Sequence, residues 1–226
     1  MRNKTSLKRN IFANFAGQGW VTLLGLIAVP FYIRFLGIEG YGLVGFYTTL
    51  QATFNAFLDF GLSATINREI ARYLSLPSKI GDTRDLVRTL EIGYWMLGLF
   101  LGIGVALGAP FIAKYWIQSK SFSTLDVQYV VIIMGVLTAI QWPLTFYQGG
   151  LIGLERMDIL NILHVTLSTL RSVGSILLLW LYSSTIHIFF EWQIFIAILQ
   201  VGLSTFFVWR YLPKSNHPPQ IRIGLL

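Results

Sequence analysis

Six apolar stretches, each long enough to cross a lipid bilayer, constrain the fold of this chain more than any other feature. A membrane-spanning helix needs about 20 mostly apolar residues. The stretches lie at 11–36, 41–62, 91–117, 127–153, 159–183 and 186–212. Because backbone groups in lipid must find their hydrogen-bond partners within the protein, each stretch is predicted to be helical. The sequence therefore predicts an all-α integral membrane protein, with a bundle of six transmembrane helices over residues 1–212.

Charge and motif content exclude several other classes of protein. Only 12% of the 226 residues are charged, compared with about 25% in an average soluble domain. The net charge of +7 comes from basic residues placed between the apolar stretches, which does not favour nucleic-acid binding. The chain has no cysteine, and its three histidines are far apart in sequence, so neither a metal site nor a cofactor is expected. Because no P-loop, GxSxG, HExxH or CxxC motif occurs, ATP hydrolysis within this chain is not expected. We do not expect an enzyme, since a membrane transferase would usually place its acids and bases in a sizeable loop and the outer loops here are short.

The distribution of Lys and Arg predicts the orientation of the spans. Basic residues are frequent in the leading segment 1–10, in the connector 63–90 and in the tail 213–226, and rare in the alternate connectors. By the positive-inside rule, both termini of this multi-pass membrane protein should be cytoplasmic. The first apolar stretch is longer than the roughly 7–15 residue core of a signal peptide, so we interpret it as an uncleaved span.

The connector 63–90 includes a basic amphipathic segment over residues 64–76. Its apolar face carries Ile66, Ile70 and Leu74. Arg68 and Arg72 lie on another face. This pattern is typical of a helix at a membrane interface. Its charges are explained equally well by the positive-inside rule and by specific binding of lipid headgroups.

Four of the spans carry a row of polar residues at a spacing of three or four, which places each row on one helix face. In the first and second spans the rows are Asn10, Asn14, Gln18 and Thr22, and Thr48, Gln51, Asn55 and Asp59. In the fourth and fifth spans they are Thr138, Gln141, Thr145 and Gln148, and Asn161, His164, Ser168, Arg171 and Ser175. Such residues can join helices by hydrogen bonds of roughly 0.6–2 kcal/mol each. Because packing alone does not require polarity along most of a span, we predict that the rows line a hydrated cavity.

Arg171 is the most informative residue of these rows because it lies near the middle of the fifth span. A cation at that depth costs about 2.5–3.5 kcal/mol on insertion scales and requires water, an acid or an anionic ligand. An ion pair with Asp59 or Glu191 is the structural alternative to a binding role. Arg34 is a second candidate cation. It lies close to the end of the first span, so snorkelling or an ion pair with Glu39 is an alternative to a binding role.

Three further ionisable residues in the spans are candidates for ion coupling: Asp59, His164 and Glu191. For Asp59, helix capping or a pair with Arg68 is an equally good explanation. His164 can equally be a hydrogen-bonded core residue.

Glycine and proline residues predict local features of the spans. Gly37, Gly40 and Gly42 predict a tight reversal between the first and second spans. Gly98 with Gly102, and Gly104 with Gly108, have the spacing of small-residue packing faces. Kinks are expected at Pro30, Pro110 and Pro143.

Three separated sequence words, in this order, resemble the polysaccharide transporter family. They are PFYIRFLGIEGYG at 30–42, LDFGL at 58–62 and NREIAR at 67–72. This family contains the O-antigen and exopolysaccharide flippases, and it belongs to the multidrug/oligosaccharidyl-lipid/polysaccharide exporter superfamily. Its members have two six-helix lobes around a cationic cavity, and they move undecaprenyl-pyrophosphate-linked oligosaccharides across the inner membrane by alternating access. The resemblance implies that this chain is the N-terminal lobe.

The resemblance also implies partners and site residues. A second six-helix lobe or a homodimer partner would complete the transporter, and residues 213–226 would be a cytoplasmic tail or the start of the inter-lobe linker. Arg171 and Arg34 would contact the pyrophosphate. The polar rows would meet sugar hydroxyls through Asn14, Gln18, Asn55, Gln141, Thr145 and Ser168. The alternatives are a half-transporter like a multidrug exporter, or a membrane subunit or transferase of a polysaccharide assembly complex.

Overall fold

The structure is a computed structural model that describes residues 4–58, 62–76, 82–213 and 218–221. Within these ranges the chain is helical and contains no strand. The helices are α1 (Lys4–Leu58), α2 (Leu62–Ser75), α3 (Thr83–Phe111), α4 (Thr124–Gly153), α5 (Met157–Leu181) and α6 (Ile186–Tyr211). A π-helical turn, Ile112–Trp116, continues α3.

Helix α1 contains the first predicted span and the second as far as Leu58; Leu62, the predicted end of the second span, begins α2. Its 55 residues are interrupted at Gly37, where φ is 75° and ψ is 171°. That backbone conformation suits glycine because a Cβ atom would be strained there. The predicted glycine-rich turn is therefore one residue wide, and Gly40 and Gly42 are helical. With α1 counted once, five helices in the described part of the chain are long and apolar enough to cross a membrane; the count of six remains a prediction.

Local sequence signals explain where α4 begins and where α3 changes its geometry. The Ser123 hydroxyl accepts the backbone N–H of Asp126 (3.1 Å), and the Asp126 carboxylate accepts the backbone N–H of Ser123 (3.3 Å). This reciprocal capping box satisfies two donors at the start of α4. In α3, Pro110 lacks a backbone N–H, and the π-helical turn begins two residues later at Ile112.

The amphipathic connector helix α2 packs on α4. Its predicted apolar face is confirmed, because Ile66 and Ile70 are buried. The absence of a side chain at Gly153 allows α2 to come close, since a Cβ atom there would lie 3.0 Å from the Asn67 carbonyl oxygen. The apolar face of α2 thus lies against protein, whereas Arg68 is exposed and its Nη2 lies 3.6 Å from the Glu69 carboxylate.

Helices α3 and α4 approach each other at glycine positions. A Cβ atom at Gly102 would lie 2.6 Å from both the Ala139 Cβ and the Gly135 carbonyl oxygen, and one at Gly98 would lie 2.9 Å from the Ala139 carbonyl oxygen. The first predicted packing face is therefore confirmed. The second stays a prediction, since no other described helix packs there: a Cβ atom at Gly104 would meet no described atom within 4 Å, and one at Gly108 would meet only Ile112, which follows in the same chain segment.

Helix α4 forms the centre of the bundle and packs against α2, α3 and α6. Its buried side chains contribute to two apolar clusters. Met134 and Leu137 belong to the cluster near the Gly37 break, and Phe146 and Leu151 belong to the cluster near α2. Large apolar side chains of α1, α3 and α5 are exposed on the outside, as expected for lipid-facing surfaces.

Part of the predicted tail, residues 218–221, lies at the start of α3. The backbone N–H of Gln220 donates to the Asp85 carboxylate at 2.8 Å, and Asp85 is fully buried. This contact fixes the tail against the bundle.

Candidate functional site

The candidate site is a cluster of polar side chains around Arg171, in the region where α1, α5 and α6 meet. Its members are Tyr32, Tyr47, Gln51, Arg171, Ser175, Gln193 and Gln200, which we call the Arg171 cluster. Ser175, Gln193 and Gln200 are buried. The cluster therefore places a guanidinium among neutral hydrogen-bonding groups inside a helical bundle.

The guanidinium of Arg171 is only partly satisfied by protein groups. Its Nη2 donates to Gln200 Oε1 at 2.7 Å. Its Nε is buried and has no hydrogen-bond partner among the described residues. A buried donor without a partner costs about 1–3 kcal/mol.

The predicted ion pairs of Arg171 receive no support from the described part of the chain. No carboxylate there forms a salt bridge with Arg171. Glu191 is exposed, and Asp59 lies outside the described residues. The structural alternative of an Arg171–Glu191 pair is therefore wrong, and the pair with Asp59 stays a prediction.

The backbone around Arg171 is held by α6. The Arg171 carbonyl oxygen accepts the Ser175 hydroxyl and the indole N–H of Trp192 (3.2 Å). The Trp192 ring occupies the space that a side chain at Gly174 would need. Ser175 in turn accepts from the Gln193 amide at 3.2 Å. These contacts fix the position of Arg171 along α5.

Both segments of α1, before and after Gly37, reach the beginning of α6. The Tyr32 ring lies 5.1 Å from that of Phe189, and the Tyr47 ring lies 5.9 Å from that of Phe190, both edge to face. Gln51 donates to the Tyr47 hydroxyl at 2.7 Å. The break in α1 thus allows one tyrosine from each segment to pack against the beginning of α6.

Sequence reasoning missed four members of this cluster: Tyr32, Tyr47, Gln193 and Gln200. The two glutamines are separated by seven residues, which places them on one face of α6. With the buried Ser204 they form a polar row in the sixth span. That signal was present in the sequence, whereas nothing in the sequence separates Tyr32 and Tyr47 from other aromatic residues.

The remaining predicted site residues occupy several environments. On α1, Gln18, Arg34 and Asn55 are exposed, and the side chain of Asn14 lies outside the described residues. The residues Gln141, Thr145, His164 and Ser168 are half-buried. His164 lies on α5, seven residues before Arg171. The threonine hydroxyls are satisfied locally, as when Thr145 donates to the Trp142 carbonyl oxygen at 3.0 Å. That these residues share one hydrated cavity remains a prediction.

The sequence allowed an ion pair between Glu39 and Arg34, but the structure does not contain it. Its Oε2 accepts the Ser119 hydroxyl at 2.6 Å and the backbone N–H groups of Lys120 and Ser121 at 2.9 and 2.8 Å. The carboxylate thus ties α1, just after its break, to the loop before α4. Arg34 is left exposed near the end of its apolar segment.

In the described part of the chain, no group of three or more His, Cys, Asp or Glu side chains could hold a metal ion. The arrangement around Arg171 instead offers N–H donors and a permanent positive charge. Such groups suit anionic oxygens, because Arg stays protonated at any physiological pH.

Several bilayer-length helices together with a cation in an internal polar cluster define a multi-pass integral membrane protein. Residues 7–222 match the family described as "Polysaccharide biosynthesis protein", and the chain belongs to that family. This confirms the resemblance found in the sequence. A curated protein of Escherichia coli (strain K12), "Putative O-antigen transporter", is 32% identical over 88 residues. That match covers 39% of this chain and 20% of the relative. No solved structure matches the chain.

Proposed function

We propose that the chain takes part in moving lipid-linked oligosaccharide across the bacterial inner membrane for polysaccharide biosynthesis, by alternating access. It would act as the N-terminal half of a transporter, with a second six-helix lobe or a second copy completing the pathway. Membership of the polysaccharide biosynthesis family and the similarity to a relative named as an O-antigen transporter support transport rather than an enzymatic reaction.

The observation that carries the proposal is the incompletely satisfied guanidinium of Arg171. An undecaprenyl pyrophosphate that crosses the apolar layer must exchange its hydration for fixed cations and dipoles. Arginine provides a lasting charge and donors that match phosphate oxygens. Arg171, with Arg34 as a second cation, would neutralise the pyrophosphate. Sugar hydroxyls would meet the polar rows at Asn14, Gln18, Asn55, Gln141, Thr145 and Ser168.

The alternatives differ in the charge that the site should carry. An exporter of cationic drugs would favour a carboxylate close to the substrate, and none pairs with Arg171 in the described ranges. If transport is coupled to an ion, Asp59, His164 and Glu191 are the candidate carriers. A transferase subunit would be revealed by sugar or phosphate transfer with purified protein.

The direct test is complementation of a flippase-deficient strain by this chain together with a second lobe. Restored surface polysaccharide is the expected result. Restoration by the second lobe alone, or transfer activity without movement of lipid-linked saccharide in vesicles, would contradict the proposal.

The orientation can be tested separately, because the chain has no natural cysteine. Single cysteines at Ser119 and Lys79 should be labelled from opposite sides of the membrane by an impermeant thiol reagent. Labelling of both positions from the same side would refute a topology with both termini in the cytoplasm.

If the polar rows line a hydrated cavity, as we propose, cysteines placed in them should be accessible to water. Cysteines at Gln18, Asn55, Thr145 and Ser168 should react with a polar thiol reagent. A cysteine at Leu26, which is exposed on the apolar outside of α1, is the matched control and should not react. Equal reactivity at all positions would indicate that the polar rows serve helix packing and do not line a hydrated cavity.

A further inference from the structure

A groove on the outside of α3 combines apolar walls with a charged end. Its volume is about 520 Å³, within the roughly 300–1,000 Å³ of small-molecule sites. The walls come from Ile92, Trp95, Met96 and Leu99. Tyr147 of α4 and Thr205 of α6 contribute polar groups. The groove is separate from the Arg171 cluster and shares no residue with it.

A buried carboxylate organises the polar end of this groove. Glu91 Oε2 accepts a hydrogen bond from Arg88 Nη1 at 2.8 Å. Glu91 Oε1 accepts hydrogen bonds from the Tyr147 hydroxyl at 2.7 Å and from the Trp209 indole N–H at 3.2 Å. Both carboxylate oxygens are therefore occupied by protein donors. A network of this kind is stable only because its members satisfy one another.

The charge that a ligand would meet at this end is positive. The Arg88 side chain is 49% exposed, whereas that of Glu91 is 5% exposed. A second guanidinium, that of Arg84, lies 5.9 Å from the centre of the Trp209 ring. The network thus holds Arg88 at the rim, with its carboxylate partner beneath it.

The order of charged and apolar side chains along α3 matches the structure of an amphiphile. Arg88 lies in the second turn of α3, next to the basic connector, and Leu99 lies 11 residues further along, about 16 Å at 1.5 Å per residue. Beyond it, Phe100 and Leu107 are exposed on the outside of the bundle. A cation at the end of the span and apolar walls towards its middle are the complement of a phosphate headgroup joined to a hydrocarbon chain.

We propose that this groove binds one anionic phospholipid of the surrounding membrane. Its phosphate accepts hydrogen bonds from Arg88, and one acyl chain lies along Ile92, Met96 and Leu99. Glu91 acts as a positioning residue that aims the guanidinium at the rim. The site does not depend on transport, and it would exist even if the chain moved another substrate.

The test uses the full chain in phosphatidylcholine nanodiscs that contain a tracer phosphatidylglycerol with a diazirine in its acyl chain. After illumination, mass spectrometry should locate the label on the segment containing Met96 and Leu99. Unlabelled phosphatidylglycerol should compete better than phosphatidylcholine. Because Arg88 would supply a charge-assisted hydrogen bond, Arg88→Ala should lower the labelling about tenfold, and Arg88→Lys should lower it less.

Two further variants separate lipid binding from folding. Leu99→Trp fills the groove but leaves the Glu91 network intact, so it should also suppress the label. Arg72→Ala removes an exposed cation of α2 that pairs with Glu69 outside the groove, and it should leave the label unchanged. Unchanged labelling in both Arg88→Ala and Leu99→Trp would overturn the proposal. So would equal competition by phosphatidylcholine, labelling spread evenly over exposed α3, or occupation of the groove by a second copy of the chain.

Discussion

Replacing Gly102 with leucine should prevent α3 from packing on α4 and should cost at least about 3 kcal/mol of stability, the upper part of the range for overpacked cores. The reason is that the new side chain would begin 2.6 Å from the Gly135 carbonyl oxygen and from the Ala139 Cβ. Neither a backbone oxygen nor a Cβ atom can rotate away, so the two helices would have to separate. This separation of α3 from α4 would also remove the close van der Waals contacts that hold helices together in lipid.

Gly104→Leu is the matched control for this prediction. It adds the same side chain two residues further along α3, at a position where a Cβ atom meets no described atom within 4 Å. We expect Gly102→Leu to lower the midpoint of unfolding of the detergent-solubilised protein strongly, and Gly104→Leu to leave it nearly unchanged. Comparable losses in both variants would show that the contact between α3 and α4 is not the cause.

Replacing Arg171 with alanine should reduce complementation by at least about tenfold, because charge-assisted hydrogen bonds are worth about 1.5–3 kcal/mol. Arg171→Lys should retain part of the activity, since it keeps the charge but lacks the planar set of donors. Flux of lipid-linked saccharide should be measured in cells with matched amounts of the variants in the membrane. Full activity of Arg171→Ala would show that transport does not require Arg171.

The contact between Arg171 and Gln200 allows a structural role to be distinguished from a binding role. If Arg171 only joined α5 to α6, Gln200→Ala would break the same 2.7 Å hydrogen bond and should be equally harmful. If Arg171 binds the substrate, Gln200→Ala should be much milder, because it frees a guanidinium donor. Equal losses in the two alanine variants would favour the structural role.

The helical class of the protein could be predicted from the sequence because its cause is local. Apolar length and the need to satisfy backbone groups inside lipid act within each segment, without reference to its neighbours. The buried face of α2 was predictable for a similar reason, since Ile66 and Ile70 are one turn apart on an amphipathic pattern. The choice of Arg171 as the main candidate for substrate binding, which stays a prediction, rested on its depth in an apolar span alone.

The continuous length of α1 was less predictable. Gly37, Gly40 and Gly42 have similar sequence signals, yet only Gly37 adopts the positive φ that interrupts the helix. The surroundings of a residue, rather than its identity, decide whether glycine bends the chain or lies within a regular helix.

What only the tertiary structure decided is which polar groups meet. Arg171 and Gln200 are 29 residues apart in sequence, and Glu91 is 56 residues from Tyr147 and 118 from Trp209. Gly102 and Gly104 differ only in whether α4 lies against them. Each of these contacts depends on the rotation of one helix about its axis and on its distance from another. Packing of the whole bundle sets those two quantities, whereas apolar length and periodicity determine only that the helices form.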